Sequence, residues 1–299
     1  MHILVTGGTG FIGTALVPAL LRQQHVVSVL TRQRNPDVIE GAHYERELAN
    51  IVEPVDAVIN LAGASLAGKR WSQEYKEEMR SSRIDFTRQL GSHFAALETR
   101  PSIWINASAI GFYGASLEQT FTEQDAPGLG FSAQLCKDWE EAATDAAGDA
   151  RLCLLRLGVV LDAGGGAYLE MSRSFRMGMA SWMGSGQQFL SWIHRRDAVE
   201  AILRLLESQD ASGVFNLTAP GAVTSREFCS ALRRHYRTLL ALPVPTFALR
   251  VLVGEMADEL LLTGQRVAPS KLKEMGFSFA YPSIDDAVEA IRTAESTRL

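Results

Sequence analysis

The chain is poor in cysteine, carries no block of like charge and has no unbroken apolar run long enough to span a bilayer, and each shortage removes a class of function. Cys136, Cys153 and Cys229 are its only cysteines in 299 residues. They show neither C-x-x-C nor His/Cys ligand spacing, so no metal site and no disulfide framework is expected, and a reducing, cytoplasmic setting is. A net charge of -5 without a long Lys/Arg run argues against a nucleic-acid-binding surface. The apolar stretch 239–254 is interrupted by Pro243, Pro245 and Arg250, which is too broken for a membrane span. The first strand-like residues follow Met1 directly, leaving no room for a signal peptide. No internal repeat or low-complexity tract is visible. What remains is a globular chain, 46% hydrophobic, able to bury a large core in one big domain or two smaller ones.

The positive signal lies at the N-terminus. His2-Ile3-Leu4-Val5 has the composition of a buried parallel strand, Phe11 to Leu21 suits a helix, and Gly7, Gly8 and Gly10 lie between them, with Gly13 at the helix start. Gly7, Gly10 and Gly13 give GxxGxxG, and Gly8, Gly10 and Gly13 also fit GxGxxG. Glycines here let a phosphate approach backbone N–H groups at the positive end of a helix. The strand before the turn and the helix after it supply the context a dinucleotide fingerprint requires.

A second strand, Val26 to Leu30, ends at Thr31-Arg32, about 20 residues after the glycines, where an NAD-type site places a carboxylate. No Asp or Glu stands there. Arg32, with Thr31 and Arg34 nearby, offers charge and a fork of donors to a 2′-phosphate, which favours NADP(H).

Farther on, strand-like and helix-like segments alternate, as in a parallel sheet with helices on both faces. Strands are expected at 57–61, 102–107, 151–156, 191–194 and, at an edge, 214–217. Helices are expected at 131–147 and, as one or two pieces, over 71–97, with Met79, Ile84, Phe86 and Leu90 in the core. Pro18 should kink the first helix. Met177, Met179, Trp182 and Met183 around glycines suggest an apolar loop over 178–188, and Pro220 onward punctuates short helices. The expected fold is α/β: a Rossmann-type doubly wound parallel sheet with a smaller, mainly helical C-terminal lobe. Residues 1–165 with about 188–220 would form the nucleotide domain, and about 166–187 with 221–299 the substrate lobe.

Thr6 to Gly13, Asn60-Leu61-Ala62-Gly63, Leu155 to Leu161 and Trp192 to Asp197 together resemble an extended short-chain dehydrogenase/reductase of the NAD-dependent epimerase/dehydratase superfamily. Arg70-Trp71, Ser82-Arg83, Gly184-Ser185-Gly186, Gly264 to Pro269 and Gly276-Phe277 resemble its atypical "epimerase family" subgroup, related to short-chain dehydrogenase family 39U proteins. The resemblance implies that Gly7, Thr9, Gly10, Phe11, Ile12 and Gly13 hold the pyrophosphate and Thr31 and Arg32 the adenosine phosphate. It further implies that Leu61, Ala62 and Gly63 lie beside the adenosine and ribose, that Glu78 and Arg83 lie around the cofactor, and that Leu161 approaches the nicotinamide.

One departure bears on chemistry. Members that transfer hydride use a Tyr with a Lys four residues later on one helix face, the ammonium lowering the phenol pKa. Aligning Trp139-Glu140 with that helix puts Ser132 at the Tyr position and Cys136 at the Lys position; sliding by one gives Phe131 and Leu135. Ser108 stands where the superfamily places its Ser/Thr, and Tyr113 resembles the Tyr-Gly that follows. Both are catalytic candidates, Tyr113 also having the simpler reading of a packed ring. His194 fits packing and hydrogen bonding, and Asp197 a helix cap. Two classes stay open: an NADP(H)-dependent oxidoreductase or isomerase on an unidentified small carbonyl or sugar-like substrate, or an NADPH-binding non-catalytic sensor or interaction protein. Homo-oligomerisation is compatible with either.

Overall fold

The computed structural model describes residues 1–297. They divide into two compact units, one made of 1–108, 135–156 and 199–215, the other of 109–134, 157–198 and the residues from 216 onward.

The first unit is built on seven strands. β1 (His2–Thr6), β2 (Val26–Leu30), β3 (His43–Glu45), β4 (Ala57–Asn60) and β5 (Ile103–Ala109) are joined by strands at Arg151–Leu157 and Gly213–Leu217. The order across the sheet is 213–217, 151–157, β5, β4, β1, β2, β3. β1 is parallel to both β2 and β4, and β4 to β5. Ile3, Leu4, Val5, Val58 and Ile59 are fully buried, as expected where helices cover both faces of a parallel sheet and its strands become continuous apolar runs. β3 has no sequence periodicity that would announce it: it is three residues long and half exposed.

α1 (Gly13–Arg22) follows β1 and stays helical through Pro18, whose missing N–H falls opposite the exposed Thr14. The segment after β4 is two helices, α2 (Gln73–Arg80) and α3 (Phe86–Ala95), joined by a π turn at Ser81–Asp85. Met79, Ile84 and Leu90 are buried, with Phe86 partly so. α4 (Phe131–Ala147) leads into strand 151–157.

Register is fixed by a buried polar row. Thr6 pairs with Asn60 across β1 and β4, and Asn60 with Asn106 across β4 and β5. The Thr6 hydroxyl donates to Asn60 Oδ1 at 2.6 Å, and Asn60 Nδ2 donates to Asn106 Oδ1 at 2.7 Å and Thr87 Oγ1 at 2.9 Å. A slip of one residue would leave these amides buried without partners, at roughly 1–3 kcal/mol each.

The second unit has its own core of Tyr168, Phe175, Trp192, Phe228, Leu232 and Ile291. Strand 159–162 pairs in parallel with 192–194, and 179–183 with 240–244. The loop expected over 178–188 therefore contains strand 179–183; its glycines, Gly178, Gly184 and Gly186, take positive φ outside that strand. Helices at 225–235, 246–253 and 284–297 make the C-terminal portion helical, the first opened by a reciprocal capping box between Thr224 and Glu227. Asp197 does not cap the helix that starts at Arg195. It lies inside the first turn and accepts from the N–H groups of Ala280 and Tyr281 at 2.8 and 3.0 Å, tying the C-terminal segment down.

Candidate functional site

Strand order reverses direction between β1 and β4, and an open parallel sheet binds ligands in the crevice at the carboxyl ends of such a pair. The glycine turn leaves β1 there. Gly7 has φ +69°, and a Cβ on it would lie 2.7 Å from the Leu61 carbonyl oxygen that follows β4. A Cβ on Gly13 would lie 2.4 Å from the Gly7 oxygen, so it lets α1 start against the turn. Gly10 N–H donates to the Gly7 carbonyl at 2.9 Å, closing the turn. Phe11 and Ile12 carry the chain into α1, whose N-terminus has no side-chain cap; Thr14 N–H closes on the Gly10 carbonyl at 2.9 Å, and Ala15 and Leu16 N–H on the Ile12 carbonyl at 3.0 Å.

The second half of the fingerprint meets the first through Thr9 and Thr31, whose hydroxyls are 3.2 Å apart. Thr31 is buried, whereas Arg32 beside it is exposed and has no hydrogen-bond or ion-pair partner among the described residues.

Beyond β4, Leu61 N–H extends the ladder to the Thr6 carbonyl at 3.1 Å, and Ala62 N–H reaches Asn60 Oδ1 at 3.4 Å. A Cβ on Gly63 would stand 2.9 Å from Arg83 Cζ, so the guanidinium lies flat against this loop. Arg83 projects from the π turn, 9% exposed, and donates to the carbonyls of Ala64 (2.9 Å) and Met79 (3.2 Å) with Trp139 under its charge at 5.2 Å. Burial lowers its pKa, with the Cys136 thiol and Tyr75 opposing. No carboxylate among the described residues pairs with it. A buried cation with only carbonyl partners is costly unless something anionic completes it. Glu78 is not that group: it pairs with Lys69 at 3.0 Å on the surface. Glycines that admit a backbone, an uncapped helix start and two unneutralised arginines fit a phosphorylated dinucleotide.

Ser108, at the end of β5, is 2% exposed and donates to Glu140 Oε1 at 2.6 Å. Glu140 is held in turn by Arg156, Nε to Oε1 and Nη2 to Oε2, both at 2.8 Å. Sequence reasoning did not single out Glu140 or Arg156, although the signal was present: Ser132, Cys136 and Glu140 fall four apart on α4, one helical face. The Ser132 hydroxyl is buried and makes no hydrogen bond among the described residues, while its backbone N–H and that of Phe131 donate to the Glu259 carboxylate, each at 3.2 Å.

In the second unit, Tyr113 is 2% exposed, stacks on Phe121 at 5.1 Å and donates its hydroxyl to Asn216 Oδ1 at 2.6 Å. A cleft of about 570 Å³ opens beside it, lined by Ser116, Gln119, Phe121, Asp125 and Leu129. The Leu161 side chain is fully buried in that unit's core, so only its backbone could meet a ligand. His194 accepts from Arg196 N–H, lies 4.0 Å from the Tyr281 ring and 3.8 Å from Asp162. Burial takes its pKa down to about 4 despite Asp162, with Arg195 and Arg196 adding to the fall. Neutral and enclosed, it packs.

The model of the NAD dependent epimerase/dehydratase family matches residues 3–218. The chain belongs to that family. A domain of unknown function, DUF1731, matches 244–291. An epimerase family protein of Mycobacterium leprae is 38% identical over 98% of this chain and 96% of its own. Among solved structures, human epimerase family protein SDR39U1 (isoform 2) with NADPH is 32% identical, covers 98% of this chain and 99% of that one, and superposes with a TM-score of 0.90. A nucleoside-diphosphate sugar epimerase from Corynebacterium glutamicum is 26% identical with a TM-score of 0.78, covering 100% of this chain and 61% of that one. Family membership gives the chain an NAD(P)-binding Rossmann fold of the short-chain dehydrogenase/reductase superfamily. No helix among the described residues is long and apolar enough to cross a membrane.

Proposed function

We propose that this chain binds NADP(H) and acts as an oxidoreductase or isomerase on a small carbonyl or sugar-like substrate. The observation that carries the cofactor choice is Arg32, exposed and unpaired at the end of β2 where an NAD site would have a carboxylate. The human relative solved with NADPH supports the same choice. The pyrophosphate would rest on the turn from Gly7 to Gly13, the adenosine phosphate on Thr31 and Arg32, and a further anionic or hydroxyl group on Arg83. Bound NADP(H) supplies or accepts hydride.

The proton then falls to the chain. With its own proton given to Glu140, the Ser108 oxygen is an acceptor. It can take the proton of a substrate hydroxyl as its own passes to Glu140, and the reverse sequence returns a proton to a substrate oxygen. Arg156 holds Glu140 in line for both directions. Ser108→Ala should lower kcat by about 100-fold or more and leave NADPH affinity within about threefold, because a group used only in the reaction contributes little to cofactor binding.

A second reading, an NADPH-binding protein without turnover, is favoured by one observation: both candidate hydroxyls are already engaged, Ser108 by Glu140 and Tyr113 by Asn216. If wild type oxidises no NADPH across a broad panel of carbonyl and sugar substrates, this reading replaces the first.

A further inference from the structure

The first turn of α4 is closed by a carboxylate from far along the chain. Phe131 N–H donates to Glu259 Oε1 and Ser132 N–H to Oε2, each at 3.2 Å, so the N-terminus of a 17-residue helix holds both oxygens of one flat anionic group. Gly130 makes the space. It has φ +104°, and a Cβ on it would lie 2.6 Å from Glu259 Oε1. Glu259 stands on the π turn Ala257–Leu261 and forms no ion pair among the described residues. Its neighbour Asp258 is held by Arg250 at 2.9 Å. Charge-assisted N–H···O bonds commonly run shorter, at about 2.7–2.9 Å, so Glu259 rests loosely on its two donors.

The Ser132 side chain supplies a second, independent observation. Ser132 is 9% exposed, and its Oγ has no hydrogen-bond partner among the described residues. A Cα–Cβ bond in a helix tilts toward the N-terminus, which aims this hydroxyl at the end that Glu259 covers. Glu259 leaves it unsatisfied. An anion seated on the same two N–H groups and reaching Oγ satisfies all three donors, which the side chain tethered at 259 does not. We propose that the first turn of α4 binds the carboxylate of a small organic acid, with Glu259 as a competitor built into the chain. A flat group offering one oxygen to each N–H is what the turn already holds. Gly130 is exposed and Glu259 half-buried, so an acid reaches the turn from solvent. Its binding frees the π turn from α4.

Acetate is the probe. Its dissociation constant is read from the Phe131 and Ser132 amide resonances of the full chain, at an ionic strength held constant with sodium chloride. A competitor tethered by the chain acts at high effective concentration, so Glu259→Ala is expected to bind acetate about tenfold or more tightly than wild type. Glu259→Gln should tighten it in the same sense by about threefold, which guards against an Ala variant that fails to fold. Adding Ser132→Ala to either should weaken acetate binding by about tenfold, the order of one charge-assisted hydrogen bond. Acetate affinity equal in wild type and both Glu259 variants, or unchanged by Ser132→Ala, overturns the proposal, and so does inorganic phosphate that binds Glu259→Ala more tightly than acetate does. None of these outcomes bears on the cofactor reading, which NADPH binding reports separately.

Discussion

At the residue scale, the site depends on atoms that are missing as much as on those present. Gly7 and Gly13 were legible because a turn between a strand and a helix that admits a phosphate has few sequence solutions. Arg32 is a candidate through the absence of a carboxylate, a role still to be tested. Glu140 and Arg156 were not legible, because a buried ion pair joins residues distant in sequence and its members look like ordinary helix and strand residues until the fold brings them to 2.8 Å. His194 gives a pH prediction. Its folded pKa, about 4, lies below the 6.5 of an exposed imidazole, so as pH falls through that window the unfolded chain takes up a proton that the folded chain refuses. Stability contributed by the neutral ring is fully present above about 6.5 and falls with acidification, by about 2 kcal/mol at pH 5. Denaturant titrations of wild type and His194→Gln from pH 7.5 to 5 should show the steeper decline in wild type; parallel curves would contradict the assignment.

At the element scale, the strands of the central sheet were readable from apolar β-branched runs, and the exceptions have physical causes. β3 is too short to show a period. Strand 179–183 was hidden by glycines that look like a loop but sit just outside it. The π turn between α2 and α3 was unreadable because the extra residue in its turn is set by tertiary packing. That turn delivers Arg83 to the loop after β4. If Arg83 is held for a ligand, Arg83→Met removes a desolvated charge that no carboxylate balances, so the ligand-free protein should melt at the same temperature or higher. NADPH affinity should fall at least about tenfold, the order of one charge-assisted hydrogen bond. Thermal melts with and without NADPH separate the two effects; lost stability with unchanged NADPH affinity would make Arg83 purely structural.

At the scale of the whole molecule, the fold followed from alternating elements and the family from motifs spread over nearly the full chain. Chemistry was less legible. Aligned with the helix that carries Tyr and Lys in hydride-transferring members, α4 has no such pair in either frame, Ser132 with Cys136 or Phe131 with Leu135, and the proposed proton path instead joins residues from β5, α4 and strand 151–157. The central claim is that the crevice beside Arg32 selects the phosphate-bearing cofactor. Calorimetric titration of wild type and Arg32→Ala with NADPH and NADH tests it most directly. A charge-assisted phosphate contact of roughly 1.5–3 kcal/mol predicts about 10- to 150-fold preference for NADPH in wild type, mostly erased in Arg32→Ala with NADH binding nearly unchanged. Equal wild-type affinity for the two cofactors would contradict the account.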